Sequence, residues 1–348
     1  MAALPTTITA VQNADVEPST AEITADARWF PLSYDAKNDV IVFAWIPPET
    51  HRALTFISDF RPTQVRSIPR ASIGEPPSHA PLHVIIHSGL GGSTLLARAL
   101  AQPAVVLTIK EPPILTDVVA FGLQSSADET QNLLRQVAAL LGRPFSAGEA
   151  LVCKMSSVGN GLGRAIAEMR PDTQILCLQT PLEQFLASLA SRGTEGTAGG
   201  RRLFVGLNNS RMTCVAIPEP ELGGYSDLQL AALAWLSIQK MMEDAGNGLG
   251  VARARSLDSN RLLNDPSRSL AAIADHFHLR LDVEARLGSG IFSRHAKTGE
   301  PFDTQKRAAA LSKTLADHGA EILPIVDWAR KTSETIGIAW NLPYPLLD

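Results

Sequence analysis

A glycine-rich segment, His-Ser-Gly-Leu-Gly-Gly-Ser-Thr-Leu over residues 87–95, has the composition of an anion-binding loop. Its glycines allow the backbone to come close to a ligand and to take up positive φ angles. When such a loop opens a helix, the free N–H groups and the helix dipole attract negative charge. Ser93 and Thr94 add hydroxyl groups at the helix start. The candidate binding residues in this loop are Gly89, Leu90, Gly91, Gly92, Ser93 and Thr94.

Two common nucleotide motifs do not fit this loop. A Walker A loop requires Gly-Lys before its Ser or Thr, and the residue before Ser93 is Gly92. A dinucleotide fingerprint requires a third glycine where this chain has Thr94. Phosphate-type binding remains the favoured interpretation, and an ordinary tight turn from strand to helix remains the alternative.

Short apolar runs that alternate with helical segments place this loop in an α/β fold. We predict buried strands at 82–86, 104–109, 151–153 and 174–178, with a further strand at 251–255, and helices that include 226–243, 266–277 and 303–332. Such alternation is typical of a parallel sheet covered by helices on both faces. The predicted fold is therefore a P-loop-type parallel sheet flanked by helices, with a small N-terminal β-containing extension and a helical C-terminal part.

The N-terminal residues predict a different organisation from the rest of the chain. Residues 1–27 lack an apolar period and predict a flexible arm. Residues 28–80 predict a small β-hairpin subdomain, which ends in a proline- and serine-rich linker at 61–81. Residues 81–348 then form the P-loop domain.

Composition excludes several classes of partner. The formal net charge is −4, so the chain lacks the basic excess of a non-specific nucleic-acid binder. It contains no signal-peptide pattern and no apolar run long enough to span a membrane. Three cysteines without metal-ligand spacing indicate reduced thiols and no metal site. These features predict a cytoplasmic protein that acts on small molecules, and they leave a homodimer open as its assembly.

The loop resembles the 5′-phosphosulfate loop of sulfotransferases, in particular that of bacterial P-loop proteins of this type. Further segments that resemble the family follow in the same order: Lys-Glu-Pro at 110–112, Leu-Val-Cys-Lys at 151–154, the segment from 175 to Ser188, and the basic segment at 292–297. The resemblance implies 3′-phosphoadenosine 5′-phosphosulfate as the donor. It implies donor contacts at Thr180, Ser188, Arg294 and Lys297 in addition to the loop.

The resemblance also implies catalytic roles for Glu111 and Lys154. Sulfuryl transfer needs a base for the acceptor and cations or N–H donors for the spread negative charge. Glu111 follows the second predicted strand of the sheet and would be the base, and Lys154 ends the third and would stabilise charge. Structural roles, a turn cap for Glu111 and a strand-end lysine for Lys154, are the alternatives.

Two positions depart from the family pattern. Leu90 stands where the family usually has Lys or Arg, and Thr180 stands where it usually has Arg. Other basic residues could compensate, the donor could differ, or the site could be inactive. The candidate substitutes are Arg98, Arg201, Arg202, Arg294 and Lys297. The sequence therefore predicts a sulfotransferase-type transferase, with a non-catalytic binding protein and a nucleotide-dependent phosphotransferase as alternatives.

Overall fold

The computed structural model describes residues 17–74 and 80–347. The arm predicted at 1–27 lies outside the described residues as far as residue 16. The strands are β1 (Trp29–Asp35), β2 (Val40–Trp45), β3 (Val65–Pro69), β4 (Leu82–His87), β5 (Val106–Lys110), β6 (Ala150–Lys154), β7 (Ile175–Gln179) and β8 (Ala254–Asp258). The α-helices are α1 (Thr20–Ala25), α2 (Pro48–Ala53), α3 (Ser93–Leu100), α4 (Pro113–Gly122), α5 (Ala127–Leu141), α6 (Gly163–Met169), α7 (Leu182–Ala190), α8 (Gly193–Asn209), α9 (Asp227–Leu249), α10 (Ser259–Asn264), α11 (Pro266–His276), α12 (Val283–Gly288) and α13 (Thr304–Ile336).

A parallel five-stranded sheet in the order β5-β6-β4-β7-β8 forms the centre of the fold. Every residue of β4 is buried, as expected for a strand with helices on both faces. One hydrophobic cluster contains Val84 and Ile86, and a second on the opposite face contains Ile85. The predicted parallel sheet with flanking helices is confirmed.

An antiparallel sheet of β1, β2 and β3 precedes the parallel sheet. The hairpin of β1 and β2 agrees with the sequence, but β3 lies in the stretch that the sequence assigned to a linker. In β3 only Ile68 is buried, so proline, serine and arginine occupy an exposed edge strand that lacks an apolar signal. Ile41 and Phe43 of β2 belong to the same hydrophobic cluster as Val84 of β4.

The buried Arg143 guanidinium fastens the segment before β1 to the fold. It donates hydrogen bonds to the carbonyls of Ile23, Thr24, Asp26 and Trp29 at 2.6–3.0 Å. Residues 20–25 of the predicted arm thus form a capped helix whose carbonyls are held by an arginine.

The C-terminal part is helical, as predicted, and returns to the sheet. Helix α13 is 33 residues long and packs against α7 and α9. The strand predicted at 251–255 is shifted, because α9 continues to Leu249 and the chain turns before β8 begins at Ala254. The Ser256 N–H donates a hydrogen bond to the Tyr344 carbonyl, and the Leu346 N–H donates one to the Ser256 carbonyl. The C-terminal segment therefore covers the outer edge of β8.

Candidate functional site

The carboxyl ends of the parallel strands bring the predicted site residues to one edge of the sheet. The glycine loop follows β4, Glu111 follows β5, and Lys154 ends β6. Lys110 and Lys154 are register partners on adjacent parallel strands. Open α/β sheets bind their ligands at this edge, beside the strand where the chain order reverses, which here is β4.

The glycine loop has the conformation of an anion nest. Gly89, Leu90 and Gly92 have φ angles of +86°, +56° and +87°. Within residues 17–74 and 80–347, no acceptor is found for the backbone N–H groups from Gly89 through Leu95. Consecutive free N–H groups that end in a helix N-terminus are an anion-binding arrangement. The Ser93 and Thr94 hydroxyls likewise have no hydrogen-bond partner in the described part of the chain.

The loop is held from behind by the residue that follows β7. The Thr180 N–H donates to the Ser88 hydroxyl at 2.7 Å, and its own hydroxyl donates to the Gly89 carbonyl at 2.8 Å. The Trp235 indole donates to the Thr180 carbonyl at 2.7 Å. A Cβ atom at Gly91 would lie 2.0 Å from the Thr180 hydroxyl, so only glycine fits there. Thr180 is fully buried, and its polar groups hold the loop.

Glu111 and Lys154 form an ion pair beside the loop. The Lys154 side chain is 1% exposed and that of Glu111 is 28% exposed, so the carboxylate is the member of the pair that faces solvent. Burial lowers the pKa of Lys154, although the Glu111 carboxylate acts in the opposite direction. Glu111 has a φ angle of +54°, and its N–H donates to the Lys154 carbonyl at 2.8 Å. Unfavourable backbone conformations of this kind often occur at functional sites.

His87 ends β4 and contributes no charge to this edge. Its Nε2 lies 2.9 Å from the Met155 carbonyl, so Nε2 carries the proton and donates it. Burial, followed by the charge of Lys154, holds the pKa of His87 well below its usual value. The ring is therefore a neutral structural neighbour of the loop.

Phe56, which lies between α2 and β3, is a site residue that the sequence did not indicate. The ammonium groups of Lys154 and Lys297 each lie 5.4 Å from the centre of its ring. The next residue upstream, Thr55, accepts a hydrogen bond from Arg98 of α3 at 2.8 Å. The N-terminal part of the chain thus contributes a wall of the site, and only the folded chain brings it there.

The remaining residues that are predicted to contact 3′-phosphoadenosine 5′-phosphosulfate differ in their position and exposure. Lys297 stands over Phe56 and close enough to Lys154 for its charge to act there. Arg294 is exposed, and Ser188 is buried on α7. Gln179, at the end of β7, donates to Gln239 and to the Trp340 carbonyl. The end of β7 therefore presents amide and hydroxyl groups that are already bonded within the protein.

Two of the candidate substitute cations are paired away from the loop. Arg201 forms an ion pair with Asp227, and Arg202 forms one with Glu195. An arginine that the sequence did not indicate reaches the loop instead: Arg307 of α13 approaches the Leu90 carbonyl. The sequence gives no indication of this contact, because Arg307 lies 217 positions from Leu90 in the chain.

Other features of the described residues lie apart from this edge. A cavity of about 900 Å³ is lined by residues of α1 and of the N-terminal sheet, among them Trp29, Trp45 and Arg66. Within residues 17–74 and 80–347, no three His, Cys, Asp or Glu side chains come together as a metal site. In the same ranges, none of the helices has the length and apolar character needed to cross a membrane.

Comparison with known proteins gives matches among solved structures. No family model and no curated protein matches the chain. It is similar to a domain of a Synechococcus olefin synthase, with 17% identity over 75% of this chain and 98% of that domain and a TM-score of 0.38. It is also similar to a domain of the curacin biosynthetic pathway, with 14% identity over 76% of this chain and 100% of that domain and a TM-score of 0.42. Both are sulfotransferase domains.

These two domains belong to the family that the glycine loop and the following motifs resemble. Sequence identities of 17% and 14% with these domains do not establish the chemistry of this chain. The activity therefore has to be inferred from the residues at the carboxyl edge of the sheet.

Proposed function

We propose that this protein transfers a sulfuryl group from 3′-phosphoadenosine 5′-phosphosulfate to a hydroxyl or amine of a small molecule. One observation carries the proposal: the N–H groups from Gly89 through Leu95, which find no acceptor among residues 17–74 and 80–347, lie at the same sheet edge as the Glu111–Lys154 pair. An anion cradle supports the donor, and a carboxylate beside an ammonium group supports proton transfer and charge stabilisation.

In this proposal the loop binds the 5′-phosphosulfate mainly through backbone N–H groups. The dipole of α3 adds about half a positive charge at that end of the helix. The Ser93 and Thr94 hydroxyls offer further donors. Since Thr180 is engaged in holding the loop, the 3′-phosphate would be contacted by Ser188, Arg294 and Lys297 instead.

The Glu111–Lys154 pair supplies the chemistry through an exchange of partners. When the donor binds, the Lys154 ammonium moves its hydrogen bond from Glu111 to a sulfuryl oxygen. Glu111 is then free to take the proton of the acceptor hydroxyl or amine. The acceptor oxygen or nitrogen bonds to sulfur as the bond from sulfur to the bridging oxygen breaks. The leaving 5′-phosphate takes up the electron pair, and the loop N–H groups stabilise its charge.

We place this activity in the cytoplasm. Cys153, Cys177 and Cys214 are free, which suits a reducing compartment. Burial raises the pKa of Cys153 and of Cys177 to about 12, so these thiols are unreactive core residues.

A non-catalytic binding protein of the same fold is the second candidate. It is favoured by Leu90, which brings no charge to the loop, and by the internal bonding of Thr180. Such a protein would hold an anion in the loop without turnover. Substitution of Glu111 would then have no effect on any function of the chain.

Calorimetric titration of the full chain tests the proposal. We expect micromolar binding of 3′-phosphoadenosine 5′-phosphate and no binding of ATP with Mg²⁺. Tight ATP binding would instead support a phosphotransferase, and the absence of any nucleotide binding would refute the donor assignment. Binding of 3′-phosphoadenosine 5′-phosphate without sulfuryl transfer to a panel of hydroxyl and amine acceptors would favour the binding protein.

A further inference from the structure

Arg307 reaches the glycine loop from α13, on the fourth residue of that helix. Its Nη2 lies 3.4 Å from the Leu90 carbonyl, which is long for a hydrogen bond donated by a guanidinium. The contact holds the side chain near the loop, and within the described ranges it is the one hydrogen bond that the guanidinium donates. Five N–H donors in a planar fork are well suited to phosphate and sulfate oxygens.

The charge of Arg307 lacks a balancing anion in the described part of the chain. Burial lowers the pKa of Arg307, and no carboxylate of residues 17–74 or 80–347 offsets that effect. Asp303, one turn before it, is engaged as the cap of α13 and accepts from the N–H groups of Gln305 and Lys306. A half-buried guanidinium without a counter-ion is costly unless an anion joins it.

Two cations that lie ten residues apart in the chain approach the site. Lys297 lies over the Phe56 ring, as does Lys154. Arg307 lies at the Leu90 carbonyl of the loop. The N–H groups from Gly89 through Leu95 of the same loop have no acceptors in the described residues.

We infer that Arg307 is a ligand-binding residue of this loop, which contacts the phosphate or sulfate group held by the loop N–H groups. The inference rests on the proposed function for its choice of ligand. The guanidinium leaves the Leu90 carbonyl and donates to the anion when the ligand binds. It thereby supplies the loop with the positive charge that Leu90 does not bring.

The test measures binding by calorimetry to the full chain and to three variants, Arg307→Gln, Arg307→Lys and Lys306→Gln. The probes are 3′-phosphoadenosine 5′-phosphate and inorganic pyrophosphate. Loss of one charge-assisted contact to phosphate should raise the Kd of Arg307→Gln about 10- to 100-fold for both probes. Arg307→Lys should lie between Arg307→Gln and the natural chain, because lysine keeps the charge without the fork. Lys306→Gln removes the same charge from the exposed neighbouring residue and should leave both Kd values unchanged.

Each other outcome has a separate meaning. If Arg307→Gln and Arg307→Lys bind the nucleotide as the natural chain does, the role of Arg307 is refuted and the donor assignment stands. If pyrophosphate binding depends on Arg307 while the nucleotide does not bind, the role of Arg307 stands and the donor assignment is refuted. If the natural chain binds neither probe, both are refuted. Should Arg307→Gln unfold below 37 °C, the Arg307→Lys and Lys306→Gln pair decides.

Discussion

Replacement of Glu111 by Gln separates the catalytic role of the ion pair from its structural role. The variant leaves the Lys154 ammonium, which is 1% exposed, without a carboxylate. Removal of one partner from a fully buried pair costs about 3–5 kcal/mol. Because the Glu111 side chain is 28% exposed and partly screened by water, we expect a smaller loss, roughly 2 kcal/mol in the free energy of unfolding.

The effects on binding and turnover should differ. Loss of a general base lowers kcat about 10²- to 10⁴-fold. The Kd of 3′-phosphoadenosine 5′-phosphate should stay unchanged, since this product lacks the sulfuryl oxygen that Lys154 contacts in the donor. The assays are urea denaturation, calorimetric titration and acceptor-dependent release of 3′-phosphoadenosine 5′-phosphate.

Glu149→Gln is the matched control. Glu149 is fully buried and forms an ion pair with Arg52, and it also accepts from the Phe145 N–H. The control variant should lose comparable stability and keep its kcat. Equal loss of turnover in both variants would mean that the fold is at fault, and unchanged turnover in Glu111→Gln would refute Glu111 as the base.

Alkaline pH adds an independent check on the same variant. Burial lowers the pKa of Lys154 in the folded chain below 10.5. As the pH approaches 10.5, the unfolded chain therefore binds more protons at this residue than the folded chain does. The contribution of Lys154 to the free energy of unfolding then increases as the pH rises. Without Glu111 the depression deepens, because the carboxylate opposes it. The stability deficit of Glu111→Gln should therefore narrow as the pH rises towards 10.5. The Glu149→Gln deficit should not narrow in this way, because the Arg52 guanidinium stays charged.

Two further predictions concern the loop and the core. Gly91→Ala should abolish nucleotide binding and lower the free energy of unfolding by about 1–3 kcal/mol, because the new Cβ would lie 2.0 Å from the Thr180 hydroxyl. The control is Gly206→Ala on α8, where the space around the new Cβ is open. In urea denaturation this control should be neutral or stabilising. Burial lowers the pKa of His51 from 6.5 to about 3, so the unfolded chain binds its proton first and stability falls as the pH decreases through that window. Urea denaturation should show that His51 accounts for about 2 kcal/mol of loss between pH 6.5 and pH 5. His51→Leu should lack this part of the loss, and an unchanged slope would contradict the assignment.

The position of the glycine loop relative to Glu111 and Lys154 could be predicted because it depends on local patterns. Short β-branched runs mark the strands, and each run ends at the residue where chemistry is expected. Parallel strands then bring their carboxyl ends together whatever the connecting helices are. The ion pair between Glu111 and Lys154 depends in addition on β5 and β6 being neighbours in the sheet, which the sequence pattern does not show.

Contacts that depend on distant segments could not be predicted. Phe56 and Arg307 reach the site from the N-terminal part of the chain and from α13, and no spacing in the sequence relates them to the loop. Strand β3 was missed for another reason, since an exposed edge strand has little apolar signal to find. The bonding of Thr180 to the Gly89 carbonyl likewise appears only when β7 lies beside β4.

The left-handed backbone at Leu90 and Glu111 means that the unfavourable energy of forming the site is met during folding and not during ligand binding. Neither residue is glycine, so each φ angle above +50° carries an unfavourable energy of about 1–2 kcal/mol. That energy lowers the free energy of unfolding of the chain without ligand. Association then requires little ordering of the loop, and affinity is not reduced by it. The protein is thus somewhat less stable to unfolding, and its anion-binding loop already has the conformation that binds the ligand.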